Sequence, residues 1–462
     1  MDKTASEHLT SRRNFLRTMT QAGLAVAGFT TISRAADAKK SAGPAIITKP
    51  PKVLRIALVG TGGIGSAMIK NFGDLGCDCV CYTDVDTSRQ SEAAKRWPNA
   101  KGYQDYRQMF DKHAKEIDAA VVATPDHNHY PATVLAMKLK KAVYTQKPLT
   151  QTVWEARQLT QAAQKYRVVT QMGNQGHAGQ GWRIVYEYVR TGMLGKIKEV
   201  HSWTNRPIWP QGIERPTGED PIPDTLNWDC WIGPAEMRPF KKEVYHPFKW
   251  RGWFDFGAGA LGDMACHTMD GLFWALDAGY PSAIEPLLVE GLGKETFPTA
   301  SVIKWEFPAK GGRPAFAAFW YDGGKKPERP PELEKERELP KTGNLFIGTK
   351  ATLLVAGDYG DSPTVIPETK RREMGKPKQL LERSPGHYKE FVMAATGEKP
   401  ASFCKSNFAY AGPFTESILL GNVAVRAGKR LEWDGRKMKF KNCAEATKLV
   451  SKEYRKGWDF KI

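Results

Sequence analysis

Residues 53–72 read VLRIALVGTGGIGSAMIKNF, and the fold follows from how this stretch is read. Residues 53–59 form a short apolar run of mostly branched side chains, the pattern of a buried strand. The run enters Gly60-Thr61-Gly62-Gly63-Ile64-Gly65, a match to G-x-G-x-x-G, and a helical pattern follows at Ile64, Met68, Ile69 and Phe72. Gly60 permits the tight turn, Gly62 lets the backbone approach a pyrophosphate, and Gly65 lets helix and strand pack closely. Gly63 and Ile64 stand at the helix N-terminus, where free N–H groups and the positive dipole end favour phosphate. A second expected strand, residues 78–83, ends at Asp84. An acid about twenty residues beyond the turn is where a ribose hydroxyl is held. Strand, turn, helix and acid in this order predict a dinucleotide site. A carboxylate at Asp84 repels a 2′-phosphate, so NAD is favoured over NADP, with Arg89 nearby as the one opposing feature.

Upstream, Ser11-Arg12-Arg13-Asn14-Phe15-Leu16-Arg17 precedes a mildly apolar stretch, residues 22–32, and then Ala36-Asp37-Ala38. Basic region, apolar region and A-x-A site predict a secretory signal over residues 1–38, and the twin arginine points to the twin-arginine export machinery and a periplasmic destination. The apolar stretch is too short to span a bilayer, and no later segment reaches spanning length, so no stable membrane insertion is expected. Residues 39–52, with Pro44, Pro50 and Pro51, read as a linker. Proteins on this route travel folded. An exported NAD enzyme must keep its cofactor and regenerate it within its own cycle.

The chain has 462 residues, enough for two domains, and 41% are hydrophobic, enough for a sizeable core. The formal net charge is +18; residues 1–38 hold five basic and three acidic side chains, so the remainder keeps about +16. Basic and acidic residues are interspersed, as in 325–341 and 370–383, without the single-sign blocks of a nucleic-acid protein. Attraction to acidic glycans stays open. Of seven cysteines, Cys77, Cys79 and Cys81 alternate along the second strand, which predicts one shared face in the core. An odd count argues against a complete disulfide framework.

Beyond Asp84, helical patterns (87–97, 106–113, 128–140, 153–166) alternate with apolar strand patterns (118–123, 142–145, 168–172). This predicts a doubly wound α/β Rossmann domain over residues 53–173. Ligands on such a sheet sit at the carboxyl ends of the strands: Gly60–Gly65, Asp84, Thr124–His129, Gln146–Pro148 and Asn174. The three motifs there, ATPDHNH (123–129), KP (147–148) and MGNQ (172–175), resemble the Gfo/Idh/MocA superfamily of sugar and polyol oxidoreductases. The resemblance implies that Lys147 reaches both the nicotinamide ribose and the substrate hydroxyl, that Thr124 and Pro125 lie against the cofactor, and that His129 sits beside it. Gln146 and Asn174 join the cofactor contacts on the same ground. The family triplet is Glu-Lys-Pro; here Gln146 replaces the glutamate. Since opposite charge favours the charged form, a neutral neighbour leaves the lysine with a lower pKa than a glutamate would.

From residue 174 to 462 a second, α+β domain is expected. A helix (182–192, carrying Arg183) and a strand (197–205) precede an irregular stretch, 206–253, that holds Trp209, Trp228, Trp231, Trp250 and Trp253. Such rings suit the apolar faces of sugars or fill a core under a long loop; Arg183 and Trp209 are taken as substrate contacts. A glycine-rich entry then leads into a helical pattern running to Leu276. Asp263 and His267 are four apart on it and share a face. A carboxylate beside an imidazole raises its basicity, as a general base for a hydroxyl requires. The resemblance places this pair, with Lys147, before the nicotinamide. No metal site is implied. Four later runs (284–292, 300–307, 315–320, 345–355) predict a large, open, mostly antiparallel sheet whose free face invites a homo-oligomer. Helical patterns at 387–395 and 414–427 are expected to pack back on the first domain. The reading is an exported NAD-dependent oxidoreductase of a sugar, polyol or glycoside. A redox-neutral glycosidase or lyase, or a non-catalytic carbohydrate-binding protein, is the alternative.

Overall fold

The computed structural model describes residues 52–462; the expected signal peptide, and the expected linker up to residue 51, lie outside the described residues. The first domain runs β1 (Arg55–Val59), α1 (Ile64–Asp74), β2 (Asp78–Thr83), α2 (Ser91–Arg96), β3 (Lys101–Tyr103), α3 (Tyr106–His113), β4 (Ala119–Val122), α4 (His129–Lys138), β5 (Ala142–Thr145), α5 (Val153–Tyr166) and β6 (Thr170–Met172). Its six strands are parallel, in the order β3-β2-β1-β4-β5-β6. The order reverses between β1 and β4, and the crevice at that switch point is where such a sheet holds its ligand. Every residue of β4 and β5 is buried, because helices cover both faces and the strands need apolar side chains on each.

The three strand cysteines do not share one face. Register slips between Ile56 and Ala57, so β2 carries an extra residue. Cys77 and Cys79 therefore enter one core cluster and Cys81 the other, since one extra residue in a strand inverts every side chain beyond it. All seven cysteines are free thiols.

The second domain contains α6 (Gln180–Arg190), β7 (Ile197–Trp203), α7 (Trp228–Ile232), α8 (Gly259–Thr268), α9 (Asp270–Leu276), β8 (Ala283–Glu290), β9 (Ala300–Phe307), β10 (Phe316–Tyr321), β11 (Gly343–Gly348), β12 (Thr352–Ala356), β13 (Ser362–Ile366), α10 (Glu368–Met374), α11 (His387–Ala395), α12 (Phe408–Ala427), β14 (Leu431–Asp434), β15 (Lys439–Phe440) and α13 (Ala444–Lys448). Nine strands make one open sheet, β13-β12-β11-β7-β10-β9-β8-β14-β15. All its pairings are antiparallel except β7 with β10. Side chains of β9 and β10 alternate buried and half-buried, as expected of a sheet with one covered face. The indole of Trp305 on β9 donates to the Ser417 carbonyl of α12 (2.9 Å) and ties that covered face to its helix.

Three expectations need correction. Residues 345–355 are not one strand but the hairpin β11–β12, turning at 349–351, where Lys350 N–H is held by the Leu194 carbonyl (3.1 Å). The single helix expected through Leu276 is two: α8 ends at Thr268, Met269 caps it, and Asp270 opens α9 with its carboxylate tied to His177, Tyr410 and Asn174. The helix expected from residue 414 begins at Phe408, capped by the Asn407 side chain, with Pro413 inside it. The C-terminal helices contact the first domain. Phe391 of α11 packs edge-on against Phe72 and Tyr144, and Glu416 of α12 pairs with Arg157 of α5 at 2.7 Å.

Between β7 and α8 the chain forms an aromatic strap over the edge of the first domain. Trp228 and Trp231 stack at 4.7 Å, and with Trp253, Tyr245 and Phe256 they make a separate buried cluster that covers Val85. Backbone bonds clamp the strap down: Thr87 N–H to Thr225 C=O (2.9 Å) and Asn227 N–H to Val85 C=O (2.8 Å). The buried imidazole of His127 lies against the carbonyls of Trp231 (2.8 Å) and Phe256 (3.2 Å).

Candidate active site

One cleft of about 360 Å³ opens at the switch point, lined by both domains. Its first half is the glycine turn. Gly60 has φ +92°, and a Cβ there would lie 2.6 Å from the Ala123 carbonyl oxygen, so glycine is required. A Cβ at Gly65 would lie 2.4 Å from the Gly60 oxygen, which is the close helix–strand contact the motif demands. At Gly62 the neighbour is the Arg89 side chain, 2.7 Å from such a Cβ, an obstacle that can swing aside. One oxygen of Asp84 accepts from the N–H groups of Thr61 and Gly62 (both 3.0 Å), and the other from Asp86 N–H (3.1 Å). The acid that sequence assigns to the ribose also braces the turn. Gly62, Gly63, Ile64, Asp84, Thr124, Pro125 and Gln146 all line the cleft. A turn whose glycines leave backbone exposed where a Cβ would intrude, beside an acid at the end of β2, fits a dinucleotide.

The second half faces this turn from α8 and the strap. Lys147, at the end of β5, donates its ammonium to the Asp263 carbonyl and to Asp263 Oδ1, both at 3.0 Å. Arg251 donates to the same Oδ1 at 3.2 Å. Burial opposes charge on Lys147, but the adjacent carboxylate outweighs it and the pKa lies above the ordinary value. Burial likewise pushes Asp263 up, and the two cations outweigh it and bring it down. Lysine and aspartate are therefore an ion pair at neutral pH. Although Gln146 brings no charge, Asp263 supplies one to Lys147. Gln146 turns its amide to the Met68 sulfur (3.3 Å).

The expected Asp263–His267 hydrogen bond is absent among the described residues. The residues lie one turn apart on α8, but Lys147 and Arg251 claim the carboxylate. His267 lines the cleft, its Nδ1 is buried without a partner, and its ring packs edge-on against Tyr359 at 4.8 Å. Burial, then the nearby Lys147 charge, lowers its pKa to about 3, so the imidazole is neutral at pH 7. Asp126, not singled out from sequence, also lines the cleft. Burial, then the charge of Asp263, pushes it up to about 8, and one of its oxygens has no partner. Its signal was present in the sequence, as the acid inside ATPDHNH.

Three predicted site residues are elsewhere. His129 is buried against the carbonyls of Pro148 (2.7 Å) and Thr124 (2.9 Å); it positions the two loops that line the cleft and is not itself in the lining. Asn174 is fully buried, bonded to Asp270 (3.2 Å) and Ser406, and its neighbour Gln175 reaches the cleft instead. Arg183, 3% exposed, spends its guanidinium on the carbonyls of His177 and Gly179 and on Glu390. Of the tryptophans, Trp209, Trp231 and Trp250 line the cleft, while Trp228 and Trp253 are core. Arg206, Phe248 and Tyr359 also line it, placed there by loops whose sequence carries no motif.

The fold and this cleft define a two-domain protein with a dinucleotide-binding first domain, and side chains of both domains meet in the cleft. Residues 54–174 match the profile of the Gfo/Idh/MocA oxidoreductase family, NAD-binding Rossmann fold, and residues 186–290 match that family's C-terminal alpha/beta domain. Both stretches thus match models of one family, and the first is matched as its NAD-binding Rossmann domain. A "Glycosyl hydrolase family 109 protein" of Shewanella pealeana is 28% identical over 206 residues, 40% of this chain and 44% of that protein. An "Inositol 2-dehydrogenase/D-chiro-inositol 3-dehydrogenase" of Lacticaseibacillus casei is 29% identical over 147 residues, 31% of this chain and 42% of that protein. The match thus spans less than half the length of these curated relatives. The WlbA dehydrogenase of Bordetella pertussis, solved with NADH and UDP-GlcNAcA, shares the fold with a TM-score of 0.58 at 17% identity, over 83% of this chain and 99% of that one.

Proposed function

We propose that the protein is an NAD-dependent oxidoreductase acting on a hydroxyl of a sugar, polyol or glycoside. One observation carries the reading: Lys147 from the first domain and Asp263 and His267 from the second converge in the same cleft as the glycine turn. Bound NAD supplies a hydride acceptor at the nicotinamide ring. The chain's own residues do the rest. Gly60–Gly65 and Asp84 hold the dinucleotide. The Lys147 ammonium, fixed by Asp263, donates to the substrate oxygen and stabilises the negative charge that grows there as its proton leaves. Neutral His267 accepts that proton. Trp209 offers a ring face to the sugar, and the strap keeps water from the reacting groups.

The twin-arginine pattern supports export by that machinery to the periplasm, where free NAD is not on hand; the clamped strap supports a cofactor that stays bound through turnover. The open sheet supports a homo-oligomer formed through its free face. A second reading, redox-neutral cleavage of a glycoside, is favoured by the family 109 relatives, whose matches cover 40% and 41% of this chain. Denaturing the purified protein and identifying the released nucleotide tests the cofactor reading. Stoichiometric NAD or NADH is expected, and a protein that holds none and takes none up refutes it. Products separate the two activities: an oxidised sugar marks the first, a free sugar with no net redox change the second.

A further inference from the structure

We propose that the substrate is an acidic sugar, one whose ring carries a carboxylate, phosphate or sulfate that Arg206 receives. The inference rests on the oxidoreductase reading of the cleft and names the chemistry of what enters it.

The observation is a charge imbalance confined to the substrate half. Lys147 and Arg251 share the single carboxylate of Asp263. A third cation, Arg206, lines the same cleft and has no ion-pair partner among the described residues. Its one side-chain hydrogen bond among the described residues is to its neighbour Asn205. The other acids do not balance it. Asp84 lies at the nucleotide end and is occupied by the N–H groups of the glycine turn. Asp126 is held protonated by burial and by the charge of Asp263, with a pKa of about 8. Asp358 lies near Arg206, but burial raises its pKa and it forms no ion pair there. His267 and His246, the cleft imidazoles, are both held neutral chiefly by burial. In the cleft lining, Lys147, Arg251 and Arg206 thus stand around the one carboxylate of Asp263, with Asp126 held protonated.

Arg206 stands on the reacting side, not the phosphate side. It follows β7, and its charge is felt by Asp358, whose neighbour Tyr359 packs on His267. A half-buried guanidinium without an ion pair is free to receive an anion. Its planar fork of donors fits a carboxylate, phosphate or sulfate. Trp209, two residues beyond Pro207, lines the same cleft. The whole chain, at +18, would steer such an anion inward.

The test uses the full chain as purified, with nucleotide content measured on the same sample. D-glucuronate, glucose 6-phosphate and glucose 6-sulfate are each titrated calorimetrically against neutral D-glucose, in wild type and in Arg206→Gln. At least one acid is expected to bind about tenfold or more tighter than glucose, an advantage of about 1.4 kcal/mol or more. Arg206→Gln should erase the advantage by weakening the acid about tenfold more than glucose, and Arg206→Lys should restore part of it. Which acid wins separates carboxylate from phosphate or sulfate. Glucose binding as tightly as all three acids, an advantage that survives Arg206→Gln, or no acid binding at all overturns the proposal. A sample without nucleotide refutes the cofactor reading instead, and the comparison of acid with neutral sugar still decides this one.

Discussion

Asp263 is the residue whose removal tests the geometry most directly. Its Oδ1 lies 3.0 Å from Lys147 Nζ, with side chains 9% and 18% exposed. Opposite unit charges at that separation attract by about 5 kcal/mol in an effective dielectric of about 20. Desolvation takes back a large part, and Arg251, 3.2 Å from the same oxygen, keeps the carboxylate partly neutralised when Lys147 is gone. A coupling of about 2 kcal/mol between Lys147 and Asp263 remains. Asp263→Asn alone should destabilise by about 3–5 kcal/mol, because two cations are left without their anion. In a Lys147→Met background the same change should cost about 2 kcal/mol less. Urea unfolding of wild type, the two single variants and the double variant measures the cycle. The substitution also leaves burial as the main influence on Lys147, so its pKa should fall below the ordinary value and the alkaline limb of the activity profile should move to lower pH. Additivity within about 0.5 kcal/mol, with an unmoved alkaline limb, would refute the assignment of Asp263 as the lysine's counter-ion.

Other residues give sharper local tests. His267→Ala should lower kcat by about 10²–10⁴-fold with the nucleotide still bound, as loss of a general base does; steady-state rates and released nucleotide on one preparation check this. Gly65→Ala puts a Cβ 2.4 Å from the Gly60 oxygen, so the purified protein should come out depleted of nucleotide, read by absorbance after denaturation. His246 reaches from the strap to Asp86 at 3.2 Å, and His246→Ala should speed release of bound NADH several-fold, followed by loss of its fluorescence on adding excess NAD. Asp126 is held up at about 8 against an ordinary 3.8. The folded state therefore prefers it protonated, and stability is lost as pH rises from about 4 to about 8, by up to about 5 kcal/mol. Asp126→Asn should remove that slope, which unfolding midpoints at pH 5 and pH 9 would show.

The first domain was legible because its signals are local. A parallel strand covered on both faces must be apolar throughout, and a turn under phosphate must be glycine, so β1, β2, β4, β5 and the Gly60–Gly65 turn stand out in the chain. The edges of the second sheet were less legible. β13, with Pro363 in it, resembles a loop and survives as a strand only because it lies at the sheet edge, where a proline interrupts no ladder on its outer side. Arg183 and Asn174 failed as site residues for a different reason. Each is a polar residue near the cleft in sequence whose partners, Glu390 for one and Ser406 for the other, arrive from more than two hundred residues away. Arg206, Arg251 and Tyr359 were missed on the same ground: only the folded loops bring them to the cleft.

The substitution of Gln146 for the family glutamate is the one feature of the sequence that favours a protein without turnover. Its weight depends on where the lysine finds its anion. If Lys147 relied on residue 146, a neutral amide there would leave a buried ammonium with a falling pKa and no fixed direction. In this fold residue 146 does not carry that charge. Its side chain turns to Met68, and a Cβ at Gly173 would lie 2.6 Å from its Oε1, so it packs between β5 and β6. The ammonium is instead held at two points of one residue, the carbonyl and carboxylate of Asp263. Two bonds from the first turns of a wholly buried helix aim it better than one carboxylate beside it on its own strand. The same bonds occupy the aspartate, while burial and then the Lys147 charge keep the His267 imidazole neutral, with Nδ1 unpartnered among the described residues. Charged donor and neutral acceptor thus come from one arrangement, in which Gln146 is a packing residue.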